Sequence, residues 1–452
     1  MASGSRPAGR AAAHARAGEG RPGDQSGAAA IAPPGLSLRA NTLWMAGGQA
    51  LRAGVQFLYF ALIARALGSE QYGAFIAVTA LIGILAPFAS WGSGNLLIKH
   101  VARTPALFPT YWGSALLVTG LSSLLLTALV LGAAQFALPV GLPALLIVLI
   151  AVSDLGFARL LDLSGQAFQA YDLLSRTSAL QLLLAVLRLV AAAALGLSGL
   201  PPSALSWAGL YLAASALSAG IGLWWVRREL GWGPLQVSPV LREFREGGAF
   251  ALSLSAQSIY NDVDKTMLAR LVSTEAAGVY AAGYRVIDAM FTPVRSLIYA
   301  AYARFFRVGQ EGIARALAFA LRLIPRALGF GILAAGAVVV AAPAIPLVFG
   351  EDFRPSVAVA QWLAPLLILR PLHYFFSDTL TSSGYQTERS ALQFGVAGLN
   401  VLSNLYLIPR FGVQGAVWSS LLCDLTLLVL AAALVGWKRR LERQRPALAG
   451  DS

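Results

Sequence analysis

The sequence predicts an all-α integral membrane protein in which about twelve transmembrane helices form two parallel six-helix lobes around a central cleft. Three observations support this prediction: apolar segments recur along nearly the whole chain, positive charges collect in alternate loops, and the second half repeats motifs of the first. The 452 residues are 57% hydrophobic and 12% charged, with a mean hydropathy of +0.67. This composition provides too little polar surface to cover a water-soluble globule of the same size.

The apolar segments set the number of helices. One transmembrane helix needs roughly 20 mostly apolar residues, and segments of this kind are separated here by short loops that contain Gly, Pro or charge. Spans one to twelve are predicted at 43–63, 74–97, 112–134, 144–170, 178–197, 204–226, 248–269, 277–303, 324–348, 358–382, 391–408 and 414–437. Spans four, seven, eight and ten carry several charges, but each is long enough to cross a bilayer.

The net charge of +13 raises the question of nucleic acid binding. Most of the 34 Lys and Arg residues lie in loops on one side of the predicted bundle, whereas only Arg65, Arg270, Arg354 and Arg410 lie in loops on the other. This bias orients a membrane protein with its positive loops in the cytoplasm, beside anionic lipid headgroups. We therefore expect cytoplasmic termini, membrane lipids as partners and no nucleic acid partner.

The two ends of the chain are read as cytoplasmic tails. Residues 1–38 are rich in Ala, Gly, Arg and Pro and lack the apolar stretch of a secretory signal, which predicts a disordered tail. Residues 438–452 form a second, basic tail. Cys423 is the only cysteine, so neither an intramolecular disulfide nor a cysteine-based metal site is expected.

An internal repeat divides the chain into two halves. The exits of spans one and seven carry one motif with the same spacing, which comprises Ala64, Arg65, Glu70 and Gly73 in the first half and Ala269, Arg270, Glu275 and Gly278 in the second. Parallel repeats with an even number of spans relate two lobes by an axis along the membrane normal, with the substrate site between them. The predicted units are an N-lobe at 39–230, an inter-lobe cytoplasmic loop at 231–247 and a C-lobe at 248–437.

Span one carries a polar stripe. Gln49, Arg52, Gln56 and Tyr59 fall on one face of the predicted helix, and the opposite face is apolar. Ionisable groups inside a membrane are costly and usually face a cavity or a charged partner. The stripe predicts a water-filled cavity where Arg52 meets an anionic ligand; the alternative is that Arg52 neutralises an acid on a neighbouring helix.

Span eight carries a fuller stripe, formed by Tyr280, Tyr284, Asp288, Phe291, Arg295, Tyr299 and Tyr302. Arg285 is three residues before Asp288 and is placed to pair with it. Aromatic rings with interleaved arginines suit sugar stacking and phosphate binding, because a guanidinium makes two-point hydrogen bonds to phosphate oxygens. The alternative is tyrosine packing around an internal salt bridge, and cavity lining is favoured because spans one and seven also carry polar faces.

Span ten adds Arg370 to the candidate cavity-lining residues. Pro371 follows it, and a proline removes one helical hydrogen bond, which predicts a kink. Asp264 in span seven and Asp288 are candidates for coupling to a proton or a sodium ion. His373 is read as structural, and Asp424 is not explained by the sequence.

One ion pair is predicted in the first half, and a second is one of two alternatives. Arg159 and Asp162 are three residues apart on one helix and are expected to neutralise each other. Arg188 has no acid nearby on its own helix, so it needs a cavity or a partner on another helix such as Asp154.

The segments ARALGSEQYGAF at 64–75, GNLLIKHVAR at 94–103 and DKTMLARLVSTEAAGVY at 264–280 closely resemble bacterial polysaccharide flippases. These proteins belong to the multidrug/oligosaccharidyl-lipid/polysaccharide exporter superfamily. The resemblance implies twelve helices in two lobes around a basic cleft, for which Arg52, Arg285 and Arg295 are the matching candidates by helix and face.

The resemblance also implies a substrate. It is an oligosaccharide repeat unit on undecaprenyl pyrophosphate, moved from the cytoplasmic to the periplasmic leaflet of the bacterial inner membrane for O-antigen, capsule or exopolysaccharide synthesis. A polysaccharide polymerase and chain-length machinery are implied partners. No enzymatic activity, cofactor or metal is expected, and the sequence contains no G-x-x-x-x-G-K-[ST] phosphate loop.

Three alternatives stay open. A multidrug or toxin extrusion antiporter of the same superfamily would place a cation-binding carboxylate in the first lobe, but a basic cleft repels cationic drugs. A lipid II flippase often has more than twelve helices. An integral-membrane polysaccharide polymerase or ligase usually needs a sizeable external loop, and the outward loops predicted here are short.

Overall fold

The computed structural model describes residues 38–197, 199, 201–235 and 243–448. Side chains are described for these residues except 38–50, 246, 249, 250, 253, 299, 300, 303, 443 and 445–448. The predicted tail at 1–38 therefore lies outside the described residues apart from Leu38, where the first helix begins. The described residues from Leu43 onward belong to one compact unit, Leu43–Ser452.

The described chain is helical and contains no β-strand. Its α-helices in chain order are α1 (Leu38–Ala89), α2 (Ser93–Val101), α3 (Phe108–Ala137), α4 (Ala144–Ala151), α5 (Ala158–Gln169), α6 (Leu174–Leu197), α7 (Ala204–Glu229), α8 (Phe244–Leu271), α9 (Thr274–Gly309), α10 (Ile313–Ala341), α11 (Ile345–Phe349), α12 (Ser356–Leu363), α13 (Leu366–Ser382), α14 (Gln386–Phe411) and α15 (Val413–Leu448). A π-helical turn, Val152–Phe157, joins α4 to α5.

The predicted twelve crossings are confirmed for the described part of the chain. Eight of its segments are long and apolar enough to span a membrane. One of them, Leu51–Val101, makes two crossings, because Gly68 has φ 74° and ψ 171° and interrupts α1. α8, α9 and the pair α12–α13 carry more charged residues and supply the other three. The chain is a multi-pass membrane protein.

Some boundaries differ from the prediction. Span ten is interrupted at Ala364 and Pro365, between α12 and α13, and α13 continues through Pro371, where the kink was expected. Pro365 precedes the first residue of α13, a position where the absent N–H costs no helical hydrogen bond. α8 begins at Phe244, inside the predicted loop at 231–247, and α15 continues to Leu448 across the predicted tail.

The helices pack as two lobes. Contacts are most extensive within each half of the chain. In the first half, α5 and α6 pack on α7. In the second half, α10 packs on α13, and α14 packs on α15. Helices α1–α7 therefore form the N-lobe and α8–α15 the C-lobe. We call the side of the bundle where α15 ends the terminal side, and the opposite side the distal side.

On the distal side, the two copies of the repeated motif touch. Gly73 lies against the carbonyl oxygen of Thr274, and Gly278 lies against the carbonyl oxygen of Ser69. A Cβ atom would lie 1.7 Å from the oxygen at Gly73 and 2.1 Å from the oxygen at Gly278. The two contacts are equivalent under the internal repeat, so each lobe supplies one glycine and one carbonyl.

The second half of α1 and the antiparallel α8 form a seam between the lobes. Ser255 Oγ donates a hydrogen bond to the Ile84 carbonyl (2.7 Å), and Thr266 Oγ1 donates one to the Ala77 carbonyl (3.2 Å). Further contacts close the distal side, where Arg65 Nη1 donates to the Leu347 carbonyl at 2.7 Å. The lobes are therefore joined along the seam and shut at its distal end.

The terminal end of this seam is charged. The carboxylate of Glu243, just before α8, lies 2.8 Å from His100 Nε2, accepts a hydrogen bond from Tyr111 (3.0 Å) and lies 3.5 Å from Lys99 Nζ. Partial burial raises the pKa of Glu243, but the hydrogen bonds from His100 and Tyr111 and the charges of His100 and Lys99 outweigh it and hold this pKa below its usual value. The cluster ties α8 to α2 and α3.

The glycine contact on the distal side can be tested by substitution. Gly73→Ala and Gly278→Ala should each lower the apparent melting temperature of the purified protein in detergent, because a Cβ atom would overlap a carbonyl oxygen of the other lobe. Overpacking of this kind costs roughly 1–3 kcal/mol.

Gly83→Ala is the matched control, since Gly83 lies in the same helix as Gly73 and its Cβ position has no atom within 4 Å. We expect this variant to melt at or slightly above the wild-type temperature, because Ala is a better helix former than Gly. Equal melting temperatures for Gly73→Ala and Gly83→Ala would contradict the packing described above.

Candidate functional site

A cavity of about 460 Å³ lies in the C-lobe among α8, α9, α13 and α14. Its lining combines both signs of charge with aromatic rings. The ionisable residues are Arg285, Arg295, Arg370, Arg389, Asp262, Asp288, Asp378 and His373. The aromatic residues are Tyr260, Tyr284, Phe291, Tyr302 and Tyr374, and the amides are Gln257 and Asn261.

The cavity runs along α9, and its lining becomes more exposed toward the terminal side. Tyr284, at its inner end, is buried, whereas Tyr302 is 39% exposed. At 1.5 Å per residue the two tyrosines are separated by roughly 27 Å along the helix, which is most of the thickness of a membrane. At the inner end, the Arg285 guanidinium lies 3.7 Å from the ring centre of Phe60, so the cavity borders the N-lobe.

The sequence of α9 accounts for its two faces. The Ser273 side chain caps the helix by accepting a hydrogen bond from the Ala276 amide. Residues spaced by three or four positions then recur on one side of the helix, where Tyr284, Asp288 and Arg295 face the cavity. The other side carries buried aliphatic residues that pack in the core.

Arg370 is the most highly partnered cation of the cavity. Its guanidinium donates a hydrogen bond to the Tyr284 hydroxyl and lies 3.4 Å from Asp288 and 3.8 Å from Asp424. Asp288 therefore pairs with Arg370 of α13, and the expectation that it pairs with Arg285 is wrong. Arg370 is buried, and a buried charge is costly unless it is paired. The carboxylates of Asp288 and Asp424 neutralise its charge.

Arg285 and Arg295 differ from Arg370 in this respect. Among the described residues, no carboxylate lies within ion-pair distance of either one. Arg285 lies over the ring of Phe60, and Arg295 lies 5.5 Å from the ring centre of Phe291. Two guanidinium groups beside aromatic rings therefore remain available to an anionic ligand.

The structure separates the predicted site residues into groups. Those that line the cavity are Tyr284, Arg285, Asp288, Arg295 and Arg370. Arg52 and Gln56 are half-buried and are not among its lining residues. The side chains of Gln49 and Tyr299 lie outside the described part of the structure.

Asp264, the other candidate for ion coupling, lies behind the cavity wall. Its Oδ2 accepts a hydrogen bond from Tyr280 at 2.6 Å, and its Oδ1 lies 3.4 Å from Lys265 Nζ. Lys265 also lies 2.9 Å from Asp262. Tyr280, predicted on the same stripe as Tyr284, therefore binds Asp264 instead of lining the cavity.

Sequence reasoning did not identify Arg389, Asp378 and His373 as lining residues. Arg389 falls between predicted spans ten and eleven, but α14 begins three residues before it, and Arg389 Nη1 donates to Thr381 Oγ1 at 2.7 Å. His373 Nε2 lies 3.0 Å from the carboxylate of Asp424, and both side chains are buried. Only the presence of ionisable residues inside spans ten and twelve signalled this pair.

The N-lobe contains a separate polar cluster at the π-helical turn. Of the two alternatives for Arg188, the structure shows the ion pair with Asp154, at 2.9 Å, and Tyr211 donates a hydrogen bond to Asp154 at 2.9 Å. The predicted pair of Arg159 with Asp162 is confirmed at 3.1 Å. Asp154 is thus already neutralised by a cation of the same lobe.

Residues 38–308 match the model of a family described as polysaccharide biosynthesis protein. No curated protein sequence matches the chain.

Three solved structures share its fold. The lipid II flippase MurJ in an inward closed conformation has a TM-score of 0.72 at 10% identity, over 87% of this chain and 87% of that chain. An inward-facing multidrug resistance MATE family transporter of the MOP superfamily has a TM-score of 0.66 at 14% identity, over 90% and 97%. A MOP superfamily transporter from Pyrococcus furiosus has a TM-score of 0.62 at 13% identity, over 88% and 96%. At these identities the likeness shows the fold alone.

The different environments of the arginines predict different effects of substitution. Arg370→Ala should lower the apparent melting temperature markedly, because it leaves Asp288 and Asp424 without their shared cation. Loss of one partner of a buried ion pair costs roughly 3–5 kcal/mol. Arg295→Ala, on the exposed wall of the cavity, should melt close to wild type. Wild-type stability of Arg370→Ala would show that Arg370 does not neutralise these carboxylates.

Proposed function

The chain belongs to the polysaccharide biosynthesis protein family, and we propose that it is a flippase for oligosaccharide repeat units linked to undecaprenyl pyrophosphate. In this proposal the protein lies in the bacterial inner membrane with both termini in the cytoplasm. It moves the head group from the cytoplasmic to the periplasmic leaflet for synthesis of lipopolysaccharide, capsule or exopolysaccharide. A polysaccharide polymerase and chain-length machinery would act on the translocated unit.

The observation that carries this proposal is the pair Arg285 and Arg295 in the C-lobe cavity. A pyrophosphate diester carries two negative charges, and these guanidinium groups are free of carboxylate partners among the described residues. Tyr284, Phe291 and Tyr302 provide aromatic faces for sugar rings along the same wall. About 460 Å³ falls within the usual size range of small-molecule sites.

The arrangement of the lobes supports a transport cycle of alternating access. The distal side is shut by the glycine contact and by Arg65, whereas the cavity lining is more exposed toward the terminal side, where Tyr302 is 39% exposed. With cytoplasmic termini, this conformation would receive the head group from the cytoplasm. Parting of the lobes on the distal side would then expose the cavity to the periplasm, while the polyprenyl chain stays in lipid.

Export of cationic compounds is a second candidate, and Asp378 favours it. Its carboxylate lies on the cavity wall, is buried and has no ion pair among the described residues. Four arginines line the same cavity, however, and their field opposes entry of a cation. In the N-lobe, Asp154 is occupied by Arg188.

The proposal is tested by complementation of a strain that lacks the chromosomal gene. Arg285→Gln and Arg295→Ala should each reduce surface polysaccharide roughly tenfold or more, and undecaprenyl-linked repeat units should accumulate. The reason is that a hydrogen bond to a charged group contributes about 1.5–3 kcal/mol. The measurements are lipid-linked intermediates by mass spectrometry and surface polysaccharide by gel, at matched protein levels.

Arg315→Ala is the control, because its side chain is 72% exposed on the terminal side, away from the cavity. This variant should complement fully. Normal polysaccharide in a strain carrying Arg285→Gln and Arg295→Ala together would contradict the proposed function. Loss of drug resistance without loss of polysaccharide would favour export of cations.

A further inference from the structure

Three exposed arginines lie where α9 meets α10 near the terminal side. Arg322 and Arg326 are about one helical turn apart on α10, and Arg304 lies on α9. None of the three is among the residues that line the C-lobe cavity. The function proposed above therefore gives them no role.

The ring of Phe319 on α10 connects these arginines. The Arg304 guanidinium lies 5.0 Å from the centre of this ring, and the ring of Phe305, the next residue of α9, lies 4.9 Å from it. Arg322 and Arg326 follow Phe319 by three and seven residues, so they share its face of α10. We call Arg304, Arg322 and Arg326 the outer arginine cluster.

The positive charge of this cluster is not neutralised by the described part of the protein. No carboxylate among the described residues lies within ion-pair distance of any of its three members. Other cations of the terminal side differ, since Arg315 lies 3.7 Å from Glu311 and Lys438 lies 2.6 Å from Glu388. The guanidinium groups of the cluster are therefore able to bind an anion from outside the protein.

The cluster lies at the edge of the apolar layer of the bundle. No charged residue occurs at 327–350, the part of the sequence that follows Arg326 and continues through α11. At 1.5 Å per residue this stretch is roughly 35 Å long, enough to cross a hydrocarbon core of about 30 Å. Arg326 therefore lies where the hydrocarbon meets the lipid headgroups, and Arg322 lies roughly 6 Å further out, within the headgroup layer.

The face of α10 that carries Arg326 continues into the apolar layer as exposed apolar surface. Leu333 and Val340 follow Arg326 at intervals of seven residues, which places all three on one face of the helix. Leu333 is 75% exposed and Val340 is 81% exposed. Cations at headgroup depth above exposed apolar side chains match a ligand that has both a phosphate and acyl chains. A water-soluble anion would contact the arginines alone.

The spacing of the cluster indicates more than one phosphate. Arg304 lies at the level of Phe319, and Phe319 and Arg326 are roughly 10 Å apart along α10. Each guanidinium can make a two-point hydrogen bond to one phosphate. Two linked phosphates span such a separation, whereas a single phosphate bound by Arg322 and Arg326 leaves Arg304 without an anion.

We propose that the outer arginine cluster binds a membrane phospholipid with two phosphate diesters, the chemistry of cardiolipin. Its phosphates lie between Arg304 of α9 and the two arginines of α10, and its acyl chains lie along Leu333 and Val340. Basic clusters between helices on the cytoplasmic side suit headgroups of this kind. The lipid is a resident of the bilayer and not the transported unit, so this inference does not depend on the proposed function.

The test measures lipid binding to purified full-length protein by native mass spectrometry, with cardiolipin, phosphatidylglycerol and phosphatidylcholine added in turn. One Arg near a membrane surface contributes roughly fivefold to the affinity for an anionic lipid. We expect the wild type to bind cardiolipin roughly fivefold or more tightly than phosphatidylglycerol, because the second phosphate meets a further arginine. Phosphatidylcholine, which has no net charge, should bind most weakly.

The double variant Arg322→Gln, Arg326→Gln should bind cardiolipin roughly 25-fold more weakly than the wild type and without preference over phosphatidylglycerol. The matched control is Arg227→Gln, Arg228→Gln, which removes the same charge from two exposed arginines at the end of α7 on the terminal side. The control should keep the wild-type affinity and preference, because general attraction of the terminal side to anionic lipid falls equally in both variants.

Equal affinity of the wild type for cardiolipin and phosphatidylglycerol would overturn the inference, and this measurement needs no variant. The inference also fails if the cluster variant keeps the wild-type preference. Equal losses in the cluster variant and the control would show general attraction to anionic lipid only. If the cluster variant keeps its affinity for cardiolipin but loses binding of citronellyl pyrophosphate-linked N-acetylglucosamine, the arginines bind the transported lipid instead.

Discussion

Two backbone contacts between glycines and carbonyl oxygens set how closely the lobes approach on the distal side. Gly73 meets Thr274, and Gly278 meets Ser69, so the start of α9 and the second half of α1 touch without intervening side chains. A contact this close allows almost no freedom of position. It holds the start of α9 against the N-lobe, and the Arg285 guanidinium lies over the ring of Phe60 at the inner end of the cavity.

The cavity follows from the cost of burying charge. Arg370, Asp288 and Asp424 lie on three different helices. Their mutual attraction offsets part of the desolvation penalty that each buried charge would incur alone. Arg285 is the cation nearest to Asp288 in the sequence, but Asp288 pairs with Arg370. Arg285 lies instead over the aromatic ring of Phe60. Arginines that pair with carboxylates of the protein thus stabilise the lobe, whereas arginines without such a partner remain able to bind a ligand.

The two lobes share a repeated sequence motif but differ in their interiors. In the N-lobe, Asp154, Arg188 and Tyr211 satisfy one another at a π-helical turn, and the cavity of about 280 Å³ beside this turn is lined by no charged residue. In the C-lobe, more ionisable residues are present than can pair in one compact cluster, and the excess lines a cavity. We infer that the C-lobe carries the head group and that the N-lobe forms the opposing wall.

The sequence by itself determined the class of fold, because hydrophobic length, charge asymmetry and an internal repeat are properties of the chain that packing cannot change. It also predicted the ion pair of Arg159 with Asp162, one helical turn apart, and offered a pair with Asp154 as one of two alternatives for Arg188. Only the tertiary structure decided which cation Asp288 takes and that His373 meets Asp424. Those choices depend on how neighbouring helices are rotated about their axes, and the packing of whole helices sets that rotation.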